Sequence, residues 1–164
     1  MATLAQVLEP WKSLYGDSKT VASVVTGIHL VGLLFGGGLA VAADRSTLRA
    51  LRRPAEERAA MLRELRAVHR PVLIALALLF ASGVALAAAD IKTFLESPIF
   101  WAKLAIVALL LANGAVLAVT EQALGRDAGE GAPRLWRRLG LTARLSLALW
   151  TAAVLAGTVL VNAA

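Results

Sequence analysis

Two ionisable side chains, His29 and Lys103, lie inside long apolar stretches of the sequence. An ionisable group within a bilayer is costly, and it usually faces the interior of a helix bundle or a water-filled cavity. A neutral imidazole binds protons and transition metals, which makes His29 our first candidate for a functional and metal-binding residue. The structural alternative is a neutral histidine that hydrogen-bonds a helix carbonyl or Thr26.

Lys103 lies four residues after Ile99, where its apolar stretch begins. This depth places it in the same half of the bilayer as His29, so the two side chains can meet. A lysine that extends toward the headgroups beside an interfacial Trp101 is an equally good interpretation. Asp90 is a candidate partner for either group, or a marker of the membrane interface.

The sequence has two histidines, and they are poorly placed to share one haem. His29 lies within the first apolar stretch and His69 at the inner end of the second, so their depths differ by roughly 15 to 20 Å. Axial ligands of one iron lie only about 4 Å apart. Met1 and Met61 lie outside the apolar stretches and cannot replace either ligand. We therefore expect no haem held by two side chains of one chain, and a solvated or headgroup-facing role for His69.

The composition indicates that lipid is part of the solvent of this chain. Of its 164 residues, 59% are hydrophobic and 17% charged, with a mean hydropathy of +0.71. Soluble proteins are roughly half apolar and a quarter charged. The absence of cysteine excludes disulfides, thiolate metal sites and cysteine nucleophiles. The chain has room for one membrane domain over residues 1–164 and none for a separate soluble catalytic domain.

The apolar stretches predict an all-α fold with four transmembrane helices in an antiparallel bundle. Each is close to the length of about 20 residues that a spanning helix needs. They cover residues 21–43, 72–89, 99–120 and 141–161. The first ends in a small-residue run like a signal-peptidase site, but no basic segment precedes it, so we expect a retained helix. Asn113 and Trp150, at depth, are expected to be interhelical hydrogen-bond partners.

Two amphipathic segments flank the spans. Residues 1–19 carry apolar side chains at helical spacing, which predicts a short helix in the outer interface. Pro54 followed by acidic residues predicts the start of a cytoplasmic helix over 54–70. Pro71 then predicts a kink or a break where the chain enters the membrane. The glycine-rich stretch 125–133 is predicted to be a loop.

The basic residues are distributed unevenly between the two sides. Twelve arginines lie in the loops after the first and third spans, and three lysines lie on the opposite side. These residues are Arg45, Arg49, Arg52, Arg53, Arg58, Arg63, Arg66, Arg70, Arg126, Arg134, Arg137 and Arg138, against Lys12, Lys19 and Lys92. Because basic loops stay cytoplasmic, we predict an inner-membrane protein with both termini on the periplasmic side. The charge then reflects topology and lipid contact, and no nucleic acid partner is expected.

One face of the first span is small or polar, and the opposite face is large and apolar. The small face consists of Ala22, Thr26, His29, Gly32, Gly36 and Ala40. We predict that this face packs inward, because Gly32 and Gly36 have the GxxxG spacing that lets helix backbones approach closely. Ala153 and Gly157 form a similar pair in the last span.

Three short stretches carry a family resemblance. They are GIHLVG at 27–32 leading to FGGG at 35–38, FWAKLA at 100–105, and RLSL at 144–147. Together with the four spans, they resemble the CopD-like and HemJ-like group of small bacterial membrane proteins, which includes copper-resistance proteins and haem-associated protoporphyrinogen oxidases. The resemblance implies that His29 and Lys103 are the cofactor-binding pair, and a HemJ-like member implies haem b. The further histidines and methionines of a dedicated copper path are not present.

These observations lead to three functional hypotheses. The first is a membrane protein whose site around His29 and Lys103 binds haem b, for electron transfer or porphyrin oxidation. The second is a transporter of copper or another small cation. The third is a non-catalytic packing subunit of a larger membrane complex, and a homo-oligomer is compatible with each of the three.

Overall fold

The computed structural model describes residues 4–126 and 132–163 of the chain. The described residues form six helices: α1 (Leu4–Asp17), α2 (Lys19–Ala50), α3 (Ala55–Ala89), α4 (Ile91–Glu96), α5 (Pro98–Leu124) and α6 (Ala132–Ala163). Four of them, α2, α3, α5 and α6, are long and apolar enough to cross a membrane. The all-α fold is confirmed, and the chain is a multi-pass integral membrane protein.

Serine side chains begin two of the spanning helices. The Ser18 hydroxyl accepts a hydrogen bond from the Val21 amide at 3.3 Å. Ser18 is the single residue between α1 and α2. The Ser97 hydroxyl accepts one from the Phe100 amide at 3.4 Å, with Pro98 in the first turn of α5. Both caps satisfy amides that would otherwise lack a partner at a helix start.

The predicted break at Pro71 is absent, because α3 continues through this residue for 35 residues. The predicted helix over 54–70 and the second span are therefore one element. Pro71 lies on the exposed side of α3. Buried Leu65 before it and buried Ala75 after it anchor the same helix against its neighbours. Membrane helices tolerate proline when such packing and local adjustment compensate for the lost hydrogen bond.

The spanning helices form two hairpins that meet along one seam. Helix α2 packs along α3, α5 packs along α6, and α2 joins the hairpins by packing against α6. The helices therefore follow the order α3, α2, α6, α5 across the bundle. We call the end that carries His29 the His29 end, and the end at the α2–α3 turn the arginine-rich end.

Helix α1 lies against the first hairpin at the His29 end. The Trp11 indole donates a hydrogen bond to the Ala85 carbonyl of α3 at 2.8 Å. The Tyr15 hydroxyl lies 3.5 Å from the Thr26 hydroxyl of α2. The predicted amphipathic segment is thus a helix from Leu4 onward, and residues 1–3 of that prediction lie outside the described residues.

Small residues bring α2 and α3 together, as the GxxxG spacing predicts. A Cβ atom at Gly36 would lie 2.9 Å from the Ala75 Cβ, and one at Gly32 would lie 3.1 Å from the Leu79 Cγ. The opposite face of α2 is exposed, with Phe35 at 62% accessibility. The small face therefore packs inward, except that Thr26 is exposed.

The arginine-rich end has a packed apolar core of its own. Leu62 of α3, Leu124 of α5 and Leu139 of α6 form a buried cluster. The Arg58 guanidinium lies 5.5 Å from the ring centre of Trp136 and donates a hydrogen bond to the Leu51 carbonyl at 3.1 Å. The first part of α3 therefore packs across the ends of the second hairpin.

The contact at Gly36 leads to a prediction about stability. Gly36→Ala places a methyl group against the rigid Ala75 Cβ, and we expect a loss of about 1 to 3 kcal/mol in the free energy of unfolding. Gly38→Ala is the matched control, because a Cβ there meets no atom within 4 Å. That variant should be neutral, or more stable by up to about 1 kcal/mol, since alanine is the better helix former. Thermal unfolding in detergent checks both, and equal effects of the two variants would contradict the packing argument.

Candidate functional site

His29 projects from α2 toward α3, where the two helices run antiparallel at close range. Gly36 lies opposite Ala75, and Gly32 lies opposite Leu79. Continuing this register by one turn brings His29 to Ser82, and the imidazole is half-buried there. The close approach of the two helices therefore sets the partner of the histidine.

The hydrogen bonds of Ser82 fix the orientation of the imidazole. The Ser82 hydroxyl lies 2.7 Å from the Leu78 carbonyl, to which it donates its single proton. The same oxygen lies 2.9 Å from His29 Nδ1. With the hydroxyl proton directed at the Leu78 carbonyl, we infer that the serine oxygen accepts a hydrogen bond from Nδ1–H, and the Leu79 backbone is a further hydrogen-bond partner of His29. This inference places the proton of the neutral imidazole on Nδ1 and leaves Nε2 unprotonated.

Glycines make room for both candidate side chains. A Cβ at Gly83 would lie 3.4 Å from His29 Cε1, so the imidazole lies directly against the backbone of α3. A Cβ at Gly157 would lie 3.3 Å from Lys103 Nζ, so the lysine of α5 lies against the backbone of α6. Each functional candidate therefore occupies the space left by a glycine on the neighbouring helix.

The structure brings His29 and Lys103 into one region of the bundle. The two residues belong to different hairpins, yet the Lys103 ammonium is close enough to interact electrostatically with the imidazole. Lys103 is half-buried, whereas the neighbouring Trp101 is 53% exposed and donates a hydrogen bond to the Leu95 carbonyl at 3.0 Å. The tryptophan thus faces outward while the lysine faces the second helix of its hairpin.

Two other candidates lie apart from this pair. Asp90 is exposed at the end of α3, where its carbonyl accepts a hydrogen bond from the Phe94 amide at 3.2 Å. Within the described residues the ion pair is Arg53–Glu57. Asp90 therefore forms an ion pair with neither His29 nor Lys103. The backbone of His69 lies on α3 about 20 Å along the helix from Ser82, and its side chain lies outside the described residues.

Of the two residues expected to be interhelical hydrogen-bond partners, Asn113 makes such a bond, and Trp150 packs against a neighbouring helix. The Asn113 side chain donates a hydrogen bond to the Thr142 carbonyl of α6 at 2.9 Å and is buried. This confirms its expected role. Trp150 is also buried, and its ring packs against Gly37 of α2, where a Cβ would lie 3.4 Å away. Its indole therefore fills the seam between the hairpins.

Sequence reasoning missed three polar residues. Ser82 was not singled out, although the pair Ser82–Gly83 interrupts an apolar stretch and is a signal of close packing. Asp44 and Glu121 directly follow the predicted spans 21–43 and 99–120, where a charged residue ordinarily marks the membrane interface, yet they are 3% and 2% exposed. A single acidic residue beside an arginine looks the same in sequence whether it faces water or a neighbouring helix.

The comparisons with known proteins do not assign this chain. No family model, no curated protein and no solved structure matches the sequence or the fold. No group of three or more His, Asp or Glu side chains in the described part of the chain is arranged to hold a metal ion. The functional argument therefore depends on the geometry around His29.

The hydrogen-bond assignment of His29 leads to a spectroscopic prediction. Nitrogen NMR of the ¹⁵N-histidine-labelled protein should show His29 with a protonated Nδ1 and an unprotonated Nε2. Ser82→Ala removes the acceptor, so the Nε2–H tautomer should gain population. His69 is the second histidine of the chain and provides an internal control whose signal should not change. An Nε2–H tautomer in the unsubstituted protein would contradict the assignment.

Proposed function

We propose that this integral membrane protein binds haem b through Nε2 of His29, for electron transfer or porphyrin oxidation. One observation carries the proposal. His29 Nδ1 lies 2.9 Å from the Ser82 hydroxyl oxygen, which itself lies 2.7 Å from the Leu78 carbonyl. A histidine that binds a metal commonly has its second ring nitrogen held by such a hydrogen bond, which fixes both its tautomer and its orientation.

The residues around His29 are chemically suited to this group. The imidazole would hold the iron, and the positive charge of Lys103 would complement the acidic side chains of a porphyrin. Gly83 lets the imidazole lie directly against the backbone of α3. When bound, haem supplies one-electron redox chemistry. The chain itself holds and orients the ligand nitrogen and excludes water by its apolar surroundings.

A second copy of the chain is our proposed source of any second axial ligand. Within one chain His69 is too far along α3 to reach the same iron. The resemblance of residues 27–38 and 100–105 to CopD-like and HemJ-like proteins would imply haem b for a HemJ-like member of that group. Copper transport has less support, since the described residues offer no three-ligand cluster. No contact favours the packing-subunit hypothesis in particular.

A visible spectrum tests the haem proposal. The full chain, purified in detergent after haem-replete expression, should show a Soret band. His29→Ala should lose that band, whereas His69→Ala should keep it, because the second histidine lies at another depth. Each variant is first checked for an unchanged elution profile, so that loss of the band is not loss of folding.

Two results would reject this proposal. A wild-type protein without a Soret band binds no haem under these conditions. A band that persists unchanged in His29→Ala assigns the iron ligand to another residue. Copper uptake by cells that is lost in His29→Ala, without any haem signal, would instead favour transport.

We further propose that the arginine-rich end is cytoplasmic and that both termini lie outside an inner membrane. The support is the excess of arginine in the loops after the first and third spans. The loop between α2 and α3 is short and positively charged. Basic residues in short loops are the ones that set the orientation of a membrane protein.

The orientation can be tested directly, because the chain has no cysteine. Lys92→Cys on α4 and Arg52→Cys at the α2–α3 turn each introduce one exposed thiol. A membrane-impermeant maleimide should label the first in intact spheroplasts and the second only after permeabilisation. The reverse pattern would place both termini in the cytoplasm.

A further inference from the structure

Asp44 is a buried acidic residue that the proposed haem site does not use. It lies on α2, fifteen residues beyond His29, which is about 22 Å along the helix. Only 3% of its surface is exposed. Its location is the seam where α2 packs against α6 and the two hairpins meet.

Among the described residues, the carboxyl group of Asp44 has one hydrogen-bond partner. The Ser146 hydroxyl of α6 bonds it, and Ser146 is itself buried. The second oxygen, Oδ2, is buried and has no hydrogen-bond partner among the groups that the structure describes. An ionised carboxylate without a cation or further donors is very costly to bury, whereas the neutral acid is tolerated.

The charged groups around Asp44 point away from it or lie outside the described side chains. By the register of α2 and α3, Asp44 is level with Ala67 of α3. The neighbouring cationic side chains that the structure describes are exposed: Arg45 and Arg49 on α2, Arg63 and Arg70 on α3, and Arg144 on α6. The side chains of Arg66 and His69 lie outside the described residues. Glu121 of α5 is buried nearer the arginine-rich end.

Apolar contacts between α2 and α6 lie on both sides of Asp44 and Ser146 along the seam. Trp150 packs against Gly37 toward the His29 end. Leu51 packs against Gly140 toward the arginine-rich end. Between these contacts Asp44 is hydrogen-bonded to Ser146, and Thr47 of α2 and Thr142 of α6 are also buried.

We propose that Asp44 is a proton-binding site on the seam between the two hairpins, and that its ionised form is incompatible with the closed seam. A proton is the ligand that this donor set fits. Hard cations such as Mg²⁺ and Ca²⁺ take about six or more oxygen ligands. The carboxyl and the serine hydroxyl offer three at most, and one proton on the carboxyl removes the buried charge.

The test compares Asp44→Asn with the wild-type full chain in detergent from about pH 5.5 to about pH 9. Asparagine has the shape of the neutral acid and cannot ionise. At the acidic end the two proteins should unfold at similar temperatures. As the pH rises, the wild type should lose stability relative to the variant, because only the wild type then buries a charge. The comparison isolates Asp44, since all other titrating groups, including Arg66 and His69, are shared.

A constant difference between the two proteins at every pH, or no difference at any pH, would overturn the proposal. The haem spectrum is a separate readout, so a failure of the His29 assignment leaves this result interpretable.

If Asp44→Asn does not fold, chemical modification of the wild type replaces the comparison. An apolar carbodiimide adds to a protonated carboxyl group, the acid proton passing to the reagent nitrogen, and mass spectrometry locates the adduct. An adduct at Asp44 at the acidic end that is lost at the alkaline end supports the proposal. No adduct at Asp44 at the acidic end contradicts it.

Discussion

The close approach of α2 and α3 is the interaction on which the candidate site depends. Gly32 and Gly36 let α2 lie directly against Leu79 and Ala75 of α3, and this contact sets the register of the two helices. The same register carries His29 to Ser82 one turn further on. Lipid offers no hydrophobic advantage to helix association, so such short contacts supply the packing energy that holds the pair. A displacement of one helix by a single turn would separate the imidazole from its acceptor.

Polar side chains in this bundle are satisfied locally, as a membrane interior requires. Thr120, Thr151 and Thr158 each donate to the carbonyl one turn earlier on their own helix. Ser82 does the same and has an oxygen left to accept from His29. Asp44 differs, since one of its oxygens is buried with no partner among the described groups. A proton on the carboxyl group needs no cavity, and it removes the charge that would otherwise be buried at Asp44.

Helix α3 connects the two ends of the molecule. Near one end it holds His29 through Ser82, and near the other end Leu62 packs with Leu124 and Leu139 of the second hairpin. Because the helix continues through Pro71, these contacts belong to one helix.

The sequence by itself determined the number of spanning helices, the inward face of α2 and the common depth of His29 and Lys103. Hydropathy, small-residue spacing and the rise per residue are local properties, and the fold follows them. The sequence did not determine the continuity of α3, because proline's effect depends on the packing on either side of it.

Only the tertiary structure decided which helix each polar side chain faces. His29 faces Ser82, Lys103 faces Gly157, and Asp44 faces Ser146, each across a contact between different helices. Sequence spacing places a residue on a face and at a depth, but the rotation and order of the helices decide its partner. For that reason an acid expected at the interface, Asp44, proved to be buried within the seam.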